Sequence, residues 1–346
     1  MPDTRIIRLK VVDMHTAGEP VRIVVEGYPA LSGATILDKR REAQTQHDAL
    51  RRALMLEPRG HADMYGVIPV APTHPEAVFA ALFTHNEGYS TMCGHATIAL
   101  GKWLIESGCV DATGPETRFA IELPCGLVRL SCTVEDGHVV GTAFDSVPAF
   151  LARSDVLLDV PGLGKVACDL AYGGAFYTML PSSRIGLDFF ETPLEQLVAA
   201  GKAITEEGRR ALAIVHPDAA DLGFLYGTIL TDDAPPPAPT WNLCVFADGQ
   251  VDRSPTGSGV TARMAADHAK GLIGPGIRRA FHGPTGIPFT AEVAGEAKAG
   301  ATPAVQVRVA GQASFTGTAT FTIDRQDPLG FGFTLPDRYA ALRDRA

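Results

Sequence analysis

The alternation of apolar and polar positions along this 346-residue chain predicts many short strands and few helices. Short runs of Ile, Val and Phe are typical of buried or half-buried strands. The predicted strands cover residues 5–12, 21–27, 64–71, 77–84, several segments of 117–147, a pair within 165–180 broken at Gly173 and Gly174, 241–247, and segments of 288–334. Helical spacing covers residues 42–56, 93–107, 191–212 and 257–270. Because helices and strands do not alternate regularly, the pattern favours a mixed α+β fold over a doubly wound sheet.

Two of the predicted helices are apolar or small on nearly every face. The helix over 93–107 leaves only a narrow polar stripe with Lys102 and Glu106, and the helix over 257–270 is rich in Ala and Gly. Helices of this composition are buried. We therefore expect strands to surround each of them.

The segments that lead into these two helices match each other 163 residues apart. Each copy has a hydroxyl residue before the helix, as an N-cap does, and a glycine after it, as a C′ position does. The aligned pairs are Cys93 with Thr256, Phe83 with Phe246, Thr91 with Ser254, Gly94 with Gly257, Ala99 with Ala262 and Gly108 with Gly271. A repeat in a chain of this length predicts two related halves. A thiol stands at one helix start and an alcohol at the other.

Composition and charge narrow the classes of partner. The net charge is −9 and the basic residues form no cluster, which argues against nucleic acid and anionic membrane surfaces. We expect no secretory signal, because the first residues have no long apolar run. No segment approaches the ~20 apolar residues of a membrane span. Six cysteines without a pairing pattern predict reduced thiols in a cytoplasm.

Cys93 has the sequence setting of a reactive cysteine. The N–H groups and dipole of a helix N-terminus stabilise a thiolate and can lower its pKa from ~8.5 toward neutrality. His95, two residues on, is expected either to tune the thiol or to bind substrate. The alternative for Cys93, and the preferred interpretation of the other five cysteines, is a small buried apolar residue.

The two helix starts together predict an anion site. Gly94 and Gly257 allow a ligand to approach the backbone, and facing helix N-termini present amide donors to a carboxylate. The same donors would stabilise a developing enolate. Asp252 is placed to bind an ammonium group. Each of these residues also has a structural interpretation. The glycines would serve only helix packing, Asp252 would be solvated or cap a helix, and the His95 ring would form hydrogen bonds to the backbone.

Other catalytic constellations are not supported. Cys93 and His95 have no second Cys/His pair at the spacing of a zinc site, so no metal is predicted. The phosphate-binding, dinucleotide-binding and serine-hydrolase glycine motifs are absent. No local signature supports Cys–His–Asn protease chemistry, although spacing alone leaves it open.

Five ordered segments resemble the proline racemase family. They are Val12–Pro20, Leu56–Met64, Met92–Thr97, Leu170–Tyr177 and Asp252–Gly259. The resemblance implies a diaminopimelate-epimerase-like fold with two pseudo-symmetric halves, strands curled round a central helix in each, and an active site in the cleft between them. The halves are expected at 1–145, completed by 330–346, and at 146–329.

Racemases and epimerases of this family place a Cys at both helix starts, and this chain departs from them at Thr256. The departure resembles the Cys/Thr subgroup, the trans-3-hydroxy-L-proline dehydratases. It implies a hydro-lyase without an external cofactor that acts on a small molecule, with Cys93 as base and Thr256 at the second catalytic position. It also implies that the substrate is bound by Gly94, His95, Asp252, Gly257 and Ser258.

Stereochemistry explains how one thiol suffices. In the trans-L isomer the α hydrogen and the 3-hydroxyl lie on the same ring face, so one group on that face can remove the proton and return it to the departing hydroxide. Two alternatives stay open: a proline racemase or 4-hydroxyproline epimerase with water on Thr256, and a non-catalytic amino-acid-binding protein. A homodimer also stays open.

Overall fold

The computed structural model describes residues 5–335, and its strands follow one order of pairing twice. The first series is β1 (Ile6–Thr16), β2 (Glu19–Glu26), β3 (Tyr65–Val70), β4 (Phe79–His85), β5 (Tyr89–Ser90), β6 (Glu116–Leu123), β7 (Gly126–Glu135) and β8 (His138–Asp145). The remaining strands are β9 (Phe150–Val160), β10 (Gly164–Tyr172), β11 (Phe176–Pro181), β12 (Leu225–Thr231), β13 (Thr240–Phe246), β14 (Gln250–Asp252), β15 (Arg279–His282), β16 (Pro288–Ala299), β17 (Thr302–Gly311) and β18 (Ala313–Asp324). The α-helices are α1 (Ile36–Gln46), α2 (Asp48–Met55), α3 (Gly94–Glu106), α4 (Leu194–Ala211) and α5 (Gly257–Ala269).

The repeat seen in the sequence is a repeat of topology. β1 pairs antiparallel with β2, β2 parallel with β3, β3 antiparallel with β4, and β4 parallel with β6, which continues antiparallel through β7 to β8. The strands β10 to β13 and β15 to β17 follow the same order with the same directions. β8 pairs with β17 and joins the two series. The predicted α+β fold with two pseudo-symmetric halves is confirmed.

Each half is built round one buried helix. Helix α3 packs against β1, β2, β7, β8, β17 and β18, and helix α5 packs against β9, β10, β11, β16 and β17. Small residues, Ala and Gly, recur on both helices and allow strands to approach from several directions, as the sequence predicted. Gly108 and Gly271 follow the two helices with φ of 76° and 71°, the left-handed conformation of a C′ glycine.

The division into residues 1–145 and 146–329 stays a prediction, and the strand pairing departs from it at one point. β18 lies inside the predicted second half but pairs with β1, along almost the whole length of both strands. This pairing covers an edge of β1 that would otherwise leave backbone groups unpaired. The chain thus returns to the first half after β17, before the predicted segment 330–346. Residues 336–346 of that segment lie outside the described residues.

The predicted helix 42–56 is two helices, α1 and α2, divided at His47. Helix α1 begins earlier than predicted because Thr35 and Asp38 form a capping box. In the described part of the chain, no helix is long and apolar enough to span a membrane.

Candidate active site

The first turns of α3 and α5 are in backbone contact. A Cβ built on Gly94 would lie 2.4 Å from the Cα of Gly257, and a Cβ on Gly257 would lie 2.6 Å from the Cα of Gly94. Both distances are far below a normal carbon–carbon contact, so only glycine fits at either position. The N-termini of α3 and α5 therefore lie next to each other.

A small cavity lies at this meeting point, between the two halves. It contains six of the seven residues that the sequence predicted as site residues: Cys93, Gly94, His95, Asp252, Thr256 and Ser258. The seventh, Gly257, is not in the cavity wall but lies against Gly94. The other lining residues are Tyr65, Met92, Tyr177, Tyr226, Cys244 and Phe246.

The two helix starts differ in backbone conformation as well as in side chain. Cys93 is extended (φ −145°, ψ 107°) and its Sγ accepts a hydrogen bond from Ala96 N at 3.4 Å. Thr256 has φ 65° and ψ 88°, and its side chain makes no capping bond. The sequence predicted Thr91 and Ser254 as the N-caps, but Cys93 and Thr256 occupy the N-cap positions. Thr91 donates instead to the carbonyl of Gly174, and Ser254 accepts from Thr256 N.

Cys93, His95 and Asp252 form a contiguous polar group. The Sγ of Cys93 lies 3.2 Å from Nδ1 and 3.6 Å from Nε2 of His95. The same Nδ1 lies 3.9 Å from Oδ2 of Asp252. Asp252 is oriented by the N–H of Ser254, which donates to its Oδ1 at 2.8 Å. A neutral imidazole here is placed to accept the thiol proton, with a carboxylate beside it to stabilise the resulting cation.

Burial raises the pKa of Cys93 above that of an ordinary thiol, so the expected fall toward neutrality is wrong for this arrangement. The Ala96 N–H lowers the pKa, as the helix-start argument required, but desolvation is larger and the Asp252 and Glu19 carboxylates act in the same direction. Burial also lowers the pKa of His95, against the opposing effect of Asp252. The resting pair is thus a neutral thiol beside a neutral imidazole.

Glu19 was missed by the sequence analysis. This residue belongs to the first half and binds Arg253, next to Asp252, in the second half. Glu19 is fully buried, and its Oε2 accepts hydrogen bonds from the backbone N of Arg253 at 2.7 Å and from the Arg253 guanidinium at 3.3 Å. Burial, with the Asp252 charge second, raises the pKa of Glu19. Glu19 lies directly before Pro20 in the segment Val12–Pro20, one of the five segments that resemble the proline racemase family. That position could have marked it as a candidate site residue.

Three tyrosines of the cavity wall were also missed. Tyr65 packs edge-on against the His95 ring at 4.8 Å and shares a 2.5 Å hydrogen bond with Ser90. Tyr177 shares a 2.7 Å hydrogen bond with Ser258, and Tyr226 stacks on Phe246. Burial raises the pKa of all three phenols, so they remain neutral hydroxyl groups. They make the wall aromatic with a few polar points, as is typical of small-molecule sites.

The site offers no evident metal centre. Within residues 5–335, no group of three or more His, Cys, Asp and Glu side chains is arranged to hold a metal ion. The chemistry available from these residues is proton transfer by the thiol and imidazole, together with anion binding by the helix amides.

Comparison with known proteins gives consistent findings. The family model described as proline racemase matches residues 11–334. The chain is 52% identical to trans-3-hydroxy-L-proline dehydratase of Homo sapiens, with 94% of each chain covered. It is 41% identical to the protein of the same name from Colwellia psychrerythraea, covering 95% of this chain and 93% of that one. A solved hydroxyproline epimerase from Agrobacterium vitis with bound trans-4-hydroxy-L-proline superposes with a TM-score of 0.92 at 28% identity, over 97% of each chain.

Proposed function

The chain belongs to the proline racemase family, and we propose from this premise that it is a trans-3-hydroxy-L-proline dehydratase. The reaction gives Δ1-pyrroline-2-carboxylate and water, with no external cofactor. One observation favours this activity over racemisation: the cavity contains a thiol at the first helix start and an alcohol, Thr256, at the second. The relatives named for this dehydratase, at 41–52% identity, support it.

The helix N-termini bind the substrate carboxylate in this proposal. The first N–H groups of an α-helix have no partner within the helix. Those of Gly94, His95, Gly257 and Ser258 occupy this position at the two facing helix starts. The ring ammonium binds Asp252, whose side chain lies in the cavity wall. Both charged groups of the amino acid are then held, and the α carbon lies between residues 93 and 256.

Cys93 is the base. His95 takes the thiol proton, and the resulting thiolate removes the α hydrogen of the substrate. The amide donors that hold the carboxylate stabilise the negative charge as the α carbon becomes enolate-like. The C3–O bond then breaks, and the departing hydroxide takes the proton from Cys93 and leaves as water. His95 returns the first proton to the Cys93 thiolate, which restores the neutral pair. The enamine that forms rearranges to the cyclic imine, Δ1-pyrroline-2-carboxylate.

The stereochemistry of the substrate makes the second face chemically passive. The α hydrogen and the 3-hydroxyl lie on the same face of the substrate ring, the face next to Cys93. Elimination therefore needs one proton carrier. Racemisation needs a proton carrier on each face. The hydroxyl of Thr256 is a far weaker acid than a thiol. It therefore contacts the substrate on the second face but does not carry a proton there, as a second cysteine would.

A product assay against a panel of proline and hydroxyproline isomers tests this function. We expect loss of water from trans-3-hydroxy-L-proline alone, detected by mass spectrometry, with a cyclic imine as product. Loss of optical activity from L-proline or 4-hydroxy-L-proline without a change in mass would instead indicate a racemase or epimerase. Thermal stabilisation by these ligands without turnover would indicate a binding protein.

Residue 256 decides between elimination and epimerisation. Thr256→Cys places a thiol, with a pKa of ~8.5 before any effect of its surroundings, on the second face. The variant should gain slow epimerisation of 4-hydroxy-L-proline, measured by chiral chromatography, whereas Thr256→Ala should keep part of the dehydratase activity.

Thr261→Cys is the matched control for this gain, because it adds a thiol to the same helix at a residue whose hydroxyl bonds to the carbonyl of Gly257. It should give no epimerisation. Complete loss of dehydration in Thr256→Ala, with the fold and ligand binding preserved, would show that Thr256 takes a direct part in proton transfer and would contradict the one-thiol mechanism.

We also propose a cytoplasmic location, supported by six cysteines that are all free thiols. Cell fractionation tests the location. The homodimer stays a prediction, and light scattering of the purified protein tests it.

A further inference from the structure

The short strand that ends at Asp252 is completed by carboxylates from the other half. β14 has three residues and pairs with β13 along one edge. On one side of Asp252, the backbone N–H of Val251 donates to Asp63 Oδ1 at 3.4 Å. On the other side, the backbone N–H of Arg253 donates to Glu19 Oε2 at 2.7 Å. The two first-half carboxylates thus pair backbone groups that an edge strand would otherwise leave unpaired.

Glu19 is the buried member of this pair of acceptors. Its side chain is fully buried, whereas that of Asp63 is 28% exposed. The Arg253 side chain joins the two acceptors, because its Nη1 lies 3.3 Å from Glu19 Oε2 and 3.2 Å from the carbonyl oxygen of Asp63. Among the described residues, Oε1 of Glu19 has no hydrogen-bond partner. A buried carboxyl with one unpaired oxygen is unfavourable, so stability alone does not account for Glu19.

The hairpin that carries Glu19 is held in both halves. β1 and β2 are joined by a two-residue turn. Thr285 of the second half donates to the carbonyl of Ala17 in this turn at 2.7 Å. In the first half, Thr16 donates to the carbonyl of His95 at 2.9 Å. One hairpin therefore contacts the backbone of the imidazole residue in its own half and, through Glu19, the segment of the carboxylate in the other.

We propose that Glu19 is a positioning residue: it fixes the Arg253 backbone so that the neighbouring Asp252 carboxylate lies at the ring nitrogen of the substrate. This inference rests on the proposed function, which assigns the ring ammonium to Asp252. Glu19 itself is not in the cavity wall. Its removal should therefore weaken the binding of the ammonium group and leave the binding of the carboxylate by the helix amides intact.

The test compares two ligands that differ in the nitrogen. L-Proline has a ring ammonium and a carboxylate, whereas cyclopentanecarboxylate has the same ring size and the carboxylate alone. Glu19→Ala should weaken the binding of L-proline about tenfold, the effect of one hydrogen bond, and should leave the dissociation constant of cyclopentanecarboxylate unchanged. NMR titration measures both constants. In the Asp252→Ala background, Glu19→Ala should have no further effect on L-proline.

Two conservative variants separate the reach of the Glu19 side chain from its charge. Glu19→Gln keeps an acceptor oxygen at the same distance, and a neutral amide is a close substitute because burial raises the pKa of Glu19. It should keep most of the affinity for L-proline. Glu19→Asp keeps the charge but is one methylene shorter, so it should lose the bond to the Arg253 N–H and bind L-proline as weakly as Glu19→Ala. This pair decides the question if Glu19→Ala does not fold, which thermal unfolding shows.

Glu122→Ala is the matched control. Glu122 is also buried and accepts hydrogen bonds from the backbone N–H groups of Thr73 and His74, but it is not in contact with the cavity wall segment of Asp252. This variant removes a buried carboxylate of the same kind elsewhere in the first half. It should leave the ratio of the two dissociation constants unchanged.

Several results would overturn the proposal: unchanged L-proline affinity in Glu19→Ala, an equal loss for both ligands, a Glu19→Gln variant as weak as Glu19→Asp, or effects of Glu19→Ala and Asp252→Ala that simply add. A parent protein that binds both ligands equally would overturn it as well. Because the titrations do not need turnover, they are independent of the product assay. A parent protein that binds L-proline but dehydrates no isomer would refute the proposed function, and the cycle would still decide the role of Glu19.

Discussion

Replacing Cys93 by serine should lower turnover of trans-3-hydroxy-L-proline by about a thousandfold or more, within the range that a positioned acid–base group contributes. The cause is chemical, because a serine hydroxyl keeps its proton at a pH where a thiol ionises. Serine can replace Cys93 as N-cap of α3, since it also accepts a hydrogen bond from a backbone N–H. The substitution should therefore preserve the fold. Steady-state kinetics and thermal unfolding of the same preparation give both readings.

Cys132→Ser is the control for this substitution, because it makes the same change at a fully buried thiol outside the cavity. It should keep the parent's turnover. A Cys93→Ser enzyme with more than a tenth of the parent rate would refute the assignment of Cys93 as base.

The raised pKa of Cys93 adds a pH dependence to the same prediction. Without substrate, the thiolate fraction should increase only above the pH range in which an ordinary cysteine ionises, so inactivation by iodoacetamide should become faster as the pH rises beyond that range. Exposed Cys109 should be alkylated first, without loss of activity. Peptide mapping assigns each event. Inactivation that follows the modification of Cys109 would contradict this interpretation.

The repeat predicted more of this molecule than any single motif did. Pairs such as Phe83 with Phe246 and Gly108 with Gly271 occupy equivalent places in β4 and β13 and after α3 and α5. Such positions are constrained locally, by a helix end or a strand, so they are visible in one sequence. The residues of the two helix starts were predicted for the same reason.

What the sequence did not predict depends on contacts between distant segments. Tyr65 and Tyr226 enter the cavity from β3 and β12, far in sequence from either helix start. The pKa of Cys93 depends on how completely the two halves exclude water, which no local pattern contains. The pairing of β18 with β1 is likewise a tertiary contact. The alternation of apolar and polar residues in β18 predicts a strand but not its partner.

The contact between Gly94 and Gly257 predicts the second large effect. Gly257→Ala should lower turnover about a hundredfold, because a shift of roughly 1 Å in a catalytic arrangement has an effect of that size. The added Cβ would lie 2.6 Å from the Cα of Gly94 and 3.2 Å from its carbonyl carbon. Both atoms belong to the backbone of α3 and cannot turn aside as a side chain does, so the two helix starts must separate. The separation moves the amide donors of one half away from the thiol of the other.

Two opposing terms determine how Gly257→Ala changes stability. Alanine favours a helix over glycine by up to about 1 kcal/mol, but overpacking at a buried site costs about 1–3 kcal/mol. We expect the overlap to dominate and the thermal unfolding temperature to fall. Gly295→Ala is the control, because a Cβ there meets no atom within 4 Å, and it should leave turnover and unfolding unchanged. Gly94→Ala creates the reciprocal overlap, 2.4 Å from the Cα of Gly257, and should reproduce the loss. Full activity in both Gly257→Ala and Gly94→Ala would show that the facing helix starts need not touch, and the anion site built on their contact would have to be abandoned.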